Sequence, residues 1–294
     1  MDGPEKDGAR SVIVISSHVA RGSVGNRAAV FALETLGFPV WAVPTVVLPW
    51  HPGHGPATRI VPETEHFAAF LKDLERSPRL SEVGAVLSGY LGDARQAEAI
   101  AALVRKIRSV NPEAHYLCDP VIGDAGGLYV PPAMAEAIRD LLMPLADIAT
   151  PNRFELAWIA NCVLDNMEDI IAAASALGPR MMLVTSAKGP SPGRIGNLLV
   201  TDSDVLLAEH GTIDKPPNGP GDLVASVFLA RLMQGLDPAK ALQFATATVF
   251  EILARAKKRG ADDLMLETDA ASLSGPAAMV HLKHLPRPER DRRA

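Results

Sequence analysis

The sequence lacks the features that mark several large classes of protein. Its only cysteines are Cys118 and Cys162, so it has no disulfide framework, and no Cys/His spacing resembles a zinc site. No apolar run reaches the ~18 residues that a membrane helix needs. The polar stretch at residues 1–10 has no apolar segment of the kind found in signal peptides. We therefore expect a protein of a reducing compartment, the cytoplasm, that does not bind a membrane.

Basic residues are too scattered for a nucleic-acid-binding protein. The net charge is −5, and no strong basic cluster occurs before the last ten residues. In contrast, 48% of the residues are hydrophobic and only 21% are charged, which is enough for a large buried core. No linker-like stretch interrupts the chain. We therefore expect one domain over residues 11–285, with disordered tails at 1–10 and 286–294.

Short β-branched runs alternate with segments of helical spacing along the chain. Strands are predicted at 11–16, 39–48, 84–89, 115–120, 147–150 and 181–186, and a hairpin at 194–210. Helices are predicted at 24–37, 63–75, 93–109, 133–142, 222–234 and 238–259, with two more between 150 and 181. This alternation predicts an α/β fold, a three-layer sandwich with a mostly parallel sheet and helices on both faces.

The segment "NGPGD" (218–222) precedes an almost wholly apolar helix, which predicts that this helix lies in the middle of the protein. Gly219 and Gly221 allow a ligand to approach the positively polarised helix start. Asp222 has two interpretations. It could be the N-cap of the helix and it could be a general base beside an anion-binding site, and the two roles do not exclude each other.

Polar side chains follow several predicted strands, at the sheet edge where α/β proteins bind ligands. Asp119 and Glu155 follow two of these strands, together with the amide of Asn152. With Asp222 they would place three carboxylates near an anion site, an arrangement that requires a cation such as Mg²⁺. This combination predicts phosphoryl transfer from a nucleotide. In "HPGH" (51–54), by contrast, the Pro-Gly turn between the histidines disfavours a metal site.

Five segments together resemble pyridoxal kinase, within the ribokinase-like superfamily. They are "SSHVARGSVGN" (16–26), "VLSGYLGDARQ" (86–96), "CDPVIGDAGGLYVP" (118–131), "ATPNRFEL" (149–156) and "NGPGD" (218–222). The resemblance extends from about residue 11 to 260. It implies ATP-dependent phosphorylation of the 5′-hydroxyl of pyridoxal, often also of pyridoxine and pyridoxamine. It further implies Mg²⁺ and a homodimer, and leaves open whether K⁺ is needed.

The resemblance also implies roles for individual residues. Asp222 would be the catalytic base, with Gly219 and Gly221 forming the anion hole. Substrate contacts would come from Ser17, His51, Tyr90 and Asp222. The nucleotide and its metal would be bound through Asp119 and Glu155, and the nucleotide also through Thr150, Asn152, Thr185, Gly219 and Gly221. A flap containing Gly123, Asp124, Tyr129 and Val130 would cover the site.

Three departures from the family pattern affect the substrate side and the anion hole. Pro220 replaces a residue with a backbone N–H group, so one possible donor is lost. Arg21 stands where an aromatic or other residue is common. The loop "WHPGHG" (50–55) stands where the family often has "NHTQYG", which leaves His51 and Gly55 in common. Two alternatives therefore stay open: a kinase for hydroxymethylpyrimidine, and a homologue that binds a vitamer or nucleotide without turnover.

Overall fold

The computed structural model describes residues 10–187 and 192–287. Residues 1–9 and 288–294 of the expected disordered tails lie outside the described residues. None of the helices within the described ranges is long and apolar enough to cross a membrane.

Within the described residues, the central feature of the fold is one sheet of nine strands, accompanied by a separate two-stranded hairpin. In chain order the strands are β1 (Ser11–Val19), β2 (Val40–Leu48), β3 (Val83–Ser88), β4 (His115–Cys118), β5 (Gly123–Asp124), β6 (Gly127–Leu128), β7 (Ile148–Ala149), β8 (Met181–Ala187), β9 (Arg194–Thr201), β10 (Val205–Gly211) and β11 (His281–His284). The sheet order is β11-β10-β9-β8-β7-β4-β3-β1-β2, and β5 pairs with β6 alone. Pairing is parallel from β2 to β8 and antiparallel from β8 to β11.

Helices cover both faces of this sheet. They are α1 (Asn26–Thr35), α2 (Thr64–Glu75), α3 (Gln96–Val110), α4 (Pro132–Ala137), α5 (Arg153–Ala160), α6 (Met167–Ala176), α7 (Pro220–Met233), α8 (Pro238–Arg259) and α9 (Ala270–Ser274). Strand residues alternate between two apolar clusters, as the strand period requires. Ile13 and Ile15 pack with α2 to α6, whereas Val12 and Val14 pack with α1, α7, α8 and α9. The predicted three-layer α/β fold with a mostly parallel sheet is confirmed.

Helix α7 lies at the centre of its layer, as its apolar sequence predicts. Every residue from Leu223 to Arg231 is buried. The guanidinium of Arg231 donates to the carbonyl oxygen of Leu273 at 2.6 Å and lies 4.7 Å from the ring centre of Phe244, although its buried Nε has no hydrogen-bond partner. This packing holds the first turn of α7, where the candidate site begins, in a fixed position.

The structure adds elements that the sequence patterns did not indicate. The 194–210 hairpin is present as β9 and β10, but α9, β11 and the β5–β6 hairpin were not predicted. The helix predicted at 133–142 is α4 followed by a π-helical turn at Ile138–Leu142. Short 3₁₀ helices occur at Pro52–His54, Leu80–Glu82 and Met143–Leu145. These pieces are too short for hydrophobic periodicity to reveal them.

Candidate active site

The start of α7 is shaped by two glycines and a proline. Gly219 is the N-cap, with φ of 97°, and a Cβ atom there would lie 2.2 Å from the carbonyl oxygen of Ser23. Pro220 occupies the first helical position, which suits its fixed φ and missing N–H. Gly221 is exposed, and a Cβ added there would meet no atom within 4 Å. The space beside Gly221 is therefore open to a ligand.

Asp222 is not the N-cap, so that interpretation is wrong. It is the third residue of α7, because the helix starts three residues before its apolar run. Its carboxylate accepts a hydrogen bond from the backbone N–H of Gly25, which precedes α1. Burial raises the pKa of Asp222 to about 6. At pH 7 the group is mostly ionised, with a basicity close to what a general base at neutral pH needs.

Ser17 lies next to this contact. A Cβ atom on Gly25 would be 2.3 Å from the carbonyl oxygen of Ser17 and 2.4 Å from its hydroxyl. Gly25 has φ of 54°, so both its conformation and its close packing require glycine. Gly25 therefore lies between Ser17 and Asp222, and the structure brings these two predicted substrate contacts close together.

Asp119 is a buried carboxylate at the end of β4. The hydroxyl of Thr150 donates to Asp119 Oδ1 at 2.9 Å. Burial raises the pKa of Asp119 well above its usual value, and the negative charges of Glu155 and Asp222 raise it further. The three carboxylates therefore share one electrostatic environment, as the strand-end argument predicts.

Glu155 and Asn152 form a capping box at the start of α5. The carboxylate of Glu155 accepts from the backbone N–H groups of Asn152 at 2.9 Å, Ile122 at 2.8 Å and Gly123 at 3.4 Å. Burial raises the pKa of Glu155 to about 7, although these hydrogen bonds oppose the shift. Because Ile122 and Gly123 lead into β5, Glu155 also anchors the predicted flap.

The flap is the β5–β6 hairpin with the residues that follow it. Asn152 Nδ2 donates to the carbonyl oxygen of Gly123 at 2.8 Å, which fixes the flap base to α5. Asp124 is exposed, Val130 is buried, and Tyr129 is 51% exposed. Partial burial raises the pKa of the Tyr129 phenol, as do the charges of Glu155, Asp119 and Asp222. The flap therefore lies close enough to interact with all three carboxylates.

Two of the predicted substrate contacts, His51 and Tyr90, lie on loops. His51 Nδ1 accepts from the backbone N–H of Gly53 at 3.1 Å, and burial lowers the pKa of His51. The Tyr90 hydroxyl accepts from Arg59 at 2.9 Å, and the Arg59 guanidinium lies 5.6 Å from the centre of the Tyr90 ring. The backbone N–H of Tyr90 donates to Ser16 Oγ at 3.2 Å, which connects the Tyr90 loop to β1.

A pocket of about 170 Å³ adjoins the start of α7 and was not predicted as a unit. Its lining includes Thr185 and Gly221, two of the predicted nucleotide-binding residues, and a mainly apolar wall. That wall comprises Ile195, His210, Ile213, Pro216, Pro220, Val224, Thr246, Val249 and Leu253, among others. Val249 and Leu253 belong to a helical stripe in the sequence, and such a stripe cannot distinguish core from pocket lining. An apolar slot beside an anion-receptive helix start fits a nucleotide base.

The carboxylates at the strand ends have the chemistry of a site for a divalent cation. Asp119 and Glu155 are buried, yet their hydrogen-bond donors at Thr150 and the backbone are neutral and leave the negative charge uncompensated. These residues therefore fit Mg²⁺ bound together with phosphate oxygens. Among the described residues, one group of three potential ligands lies within 4.8 Å, and it is elsewhere, at His54, Asp262 and Asp263.

Several known proteins are similar to this chain in sequence and in architecture. The family model described as phosphomethylpyrimidine kinase matches residues 69–266. A pyridoxal kinase of Rubrobacter xylanophilus is 37% identical over 276 residues, covering 92% of this chain and 95% of the relative. A pyridoxine/pyridoxal/pyridoxamine kinase of Bordetella bronchiseptica is 38% identical, covering 87% and 92%. The structure of pyridoxal kinase from Leishmania donovani in complex with ADP and pyridoxamine superimposes with a TM-score of 0.88 at 28% identity, covering 94% of this chain and 100% of that chain.

Proposed function

The chain belongs to the pyridoxal kinase family, and on that premise we propose that it transfers the γ-phosphoryl group of ATP to the 5′-hydroxyl of pyridoxal. The observation that carries this proposal is the start of α7. There an open, glycine-lined helix start lies beside a carboxylate whose pKa of about 6 suits a base. The pocket on one side and Ser17 on the other are suited to the two substrates.

In this mechanism Asp222 accepts the proton of the 5′-hydroxyl as the oxygen attacks the γ-phosphorus. The bond between the γ-phosphorus and the β–γ bridging oxygen breaks, and ADP leaves with that oxygen. The hydrogen bond from Gly25 holds the carboxylate in place. The N–H groups in the first turn of α7, with the positive end of the helix dipole, stabilise the charge on the transferred group. The flap over the carboxylates excludes water, which would otherwise compete with the hydroxyl as acceptor.

Asp119 and Glu155 are proposed to hold Mg²⁺ near the nucleotide phosphates. When bound, Mg²⁺ neutralises charge on the β- and γ-phosphate oxygens. Glu155 already accepts from three backbone N–H groups, which favours a role through water or through the flap rather than as the main ligand. Thr150, Asn152 and Thr185 would complete the nucleotide side.

Several finer properties are part of the same proposal. Pyridoxine and pyridoxamine are further substrates, and the named activity of the Bordetella relative and the vitamer in the Leishmania structure support this. A homodimer follows from the family resemblance. A cytoplasmic location is proposed from the cysteine content, and one domain over residues 11–285 from the lack of a linker-like stretch. A dimer would also offer cover for Ile60 and Phe70, which are 65% and 51% exposed. The requirement for K⁺ is left for assay.

The second candidate is phosphorylation of a hydroxymethylpyrimidine. It is favoured by the name of the matching family model and by the altered 50–55 loop on the substrate side. The curated relatives, which match nearly the whole chain, favour pyridoxal.

One assay separates these activities. The purified protein is incubated with Mg-ATP and, separately, with pyridoxal, pyridoxine, pyridoxamine and hydroxymethylpyrimidine, and products are identified by mass spectrometry. We expect pyridoxal 5′-phosphate as the favoured product, at the highest kcat/KM. A preference for the pyrimidine would support the second candidate. No product from any acceptor, with vitamer binding retained, would indicate a non-catalytic homologue.

A further inference from the structure

Asp263 lies where four separate segments of the chain meet. These segments are the turn after β1, the 50–55 loop, the residues before α7 and the region after α8. The carboxylate of Asp263 is mostly buried, with 11% of the side chain exposed. A buried carboxylate needs specific partners to offset its lost hydration, and here those partners come from other segments.

The first partner comes from the 50–55 loop. His54 Nε2 lies 3.0 Å from Asp263 Oδ1, within hydrogen-bond distance. The backbone N–H of His54 donates to the carbonyl oxygen of His51 at 2.9 Å. The bond to Asp263 therefore also restrains His51, the proposed substrate contact.

The second partner is Arg21, in the turn after β1. Its guanidinium lies 3.6 Å from Asp263 and 3.0 Å from Asp262. In the same turn, a Cβ atom on Gly22 would lie only 3.1 Å from Asp263 Oδ2. The turn and the carboxylate are thus packed directly against each other.

The start of α7 is connected both to Asp263 itself and to the turn that holds Arg21. Asn218, immediately before the N-cap, forms a parallel β-bridge with Asp263. The turn that holds Arg21 continues to Ser23, which packs against Gly219, and to Gly25, which donates to Asp222. Asp263 thus joins the substrate loop to the segment that carries the proposed base.

A metal site is the other interpretation of His54, Asp262 and Asp263, whose ligand atoms lie within 4.8 Å of one another. However, Arg21 already contacts both carboxylates and supplies the positive charge that a metal would provide. The arrangement is therefore complete as an ion-pair network.

We infer that Asp263 is a positioning residue, which holds the 50–55 loop through His54 and thereby sets His51 against the start of α7 for vitamer binding. The inference rests on the proposed function and adds a determinant of substrate affinity to it. The two side chains that contact the Asp263 carboxylate, Arg21 and His54, occupy positions where this sequence departs from the family pattern.

The test uses His54→Ala, Asp263→Ala, the double variant and His54→Gln, whose side-chain amide can donate to Asp263. Each loss variant should raise KM for pyridoxal roughly tenfold, in line with losing one hydrogen bond to a charged group. KM for ATP should change less than about twofold, since the nucleotide side is untouched. The double variant should be no worse than the single ones, and His54→Gln should recover much of the affinity.

The matched control is Asp202→Ala, which removes an exposed carboxylate paired with Arg180 at 3.8 Å. It should change neither KM. A second readout does not depend on activity: trypsin cleavage after Arg59, beyond the tethered loop, should be faster in the loss variants. If Asp263→Ala folds poorly, as judged by thermal unfolding, the His54 variants alone decide the test.

The inference is overturned if pyridoxal KM stays unchanged in His54→Ala, if KM for ATP rises equally, or if the two single effects multiply. A wild-type protein that phosphorylates no acceptor would refute the proposed function. The trypsin cleavage rates would still decide whether the contact between His54 and Asp263 restrains the 50–55 loop.

Discussion

At the scale of single residues, Asp222 is subject to opposing demands. Burial beside α1 raises its pKa to about 6, so the folded protein pays a free-energy cost to ionise it. Yet the ionised form is the one that can accept a proton from the substrate. The same burial that destabilises the charge therefore provides the basicity.

We expect Asp222→Asn to lower kcat by a factor on the order of 10²–10⁴ while nucleotide binding survives, because only the proton transfer is removed. The wild-type kcat should be level above pH 7 and fall as the pH drops below about 6, as Asp222 becomes protonated. Steady-state kinetics from pH 5 to 8 and ATP titration would check both. A variant with near-normal kcat would remove Asp222 from this role.

The same variant should have a distinct effect on stability. The folded pKa of Asp222 is raised from 3.8 to about 6, so the folded state binds the proton more tightly than the unfolded state. The wild type therefore loses stability from this group as pH rises from 4 to 6. Asp222→Asn should unfold at a higher temperature than the wild type at pH 8, with a smaller difference at pH 4.5.

At the scale of secondary-structure elements, the start of α7 shows what sequence patterns can and cannot locate. The apolar run correctly predicts a buried helix, but the run begins at Leu223 whereas the helix begins at Pro220. Proline is favoured at this first helical position because its fixed φ is already helical. The N-cap interpretation of Asp222, which rests on the apolar pattern alone, therefore assigned the cap to the third residue of the helix.

We expect Pro220→Thr to raise kcat, because threonine restores a backbone N–H at the proposed anion site. Threonine should fold normally there, at a stability cost of roughly 0.4–1 kcal/mol from the lost stiffness of proline. Measuring kcat with saturating Mg-ATP and the unfolding temperature would check both effects. Lower activity would show that the proline itself is needed in the loop.

The candidate site was predictable where a motif ends a strand. Asp119, Asn152 and Glu155 lie near one another because parallel strands deliver their carboxyl ends to one edge. The apolar pocket was not predictable, since Val249 and Leu253 have the spacing of core residues. The contact between Asp263 and His54 was not predictable either, because nothing near Asp263 in the sequence indicates that it meets a residue 209 positions away.

At the scale of the whole molecule, the two apolar layers share one sheet. Neighbouring residues of β1, Ile13 and Val14, belong to opposite clusters, so neither layer can be lost without exposing the strand that serves the other. This sharing supports the proposal of one domain over residues 11–285.

We therefore expect a single cooperative unfolding transition by calorimetry, with the calorimetric enthalpy close to the van 't Hoff enthalpy. The experiment is best done at several protein concentrations, since dissociation of a dimer would shift the transition with concentration. Two transitions that persist at every concentration would contradict the one-domain proposal.

The order of the sheet places β2 at one edge and β11 at the other, and each edge is protected against adding a foreign strand. Strand β2 contains Pro44, which has no N–H to donate, and Val47 is already bridged to Ile60. Strand β11 is only four residues long and carries Lys283. Short strands, proline and lysine at an edge are the devices by which native sheets avoid amyloid-like stacking. Removing the last strand would expose the longer, apolar β10 and make aggregation, rather than loss of activity, the first consequence of truncating the chain before His281.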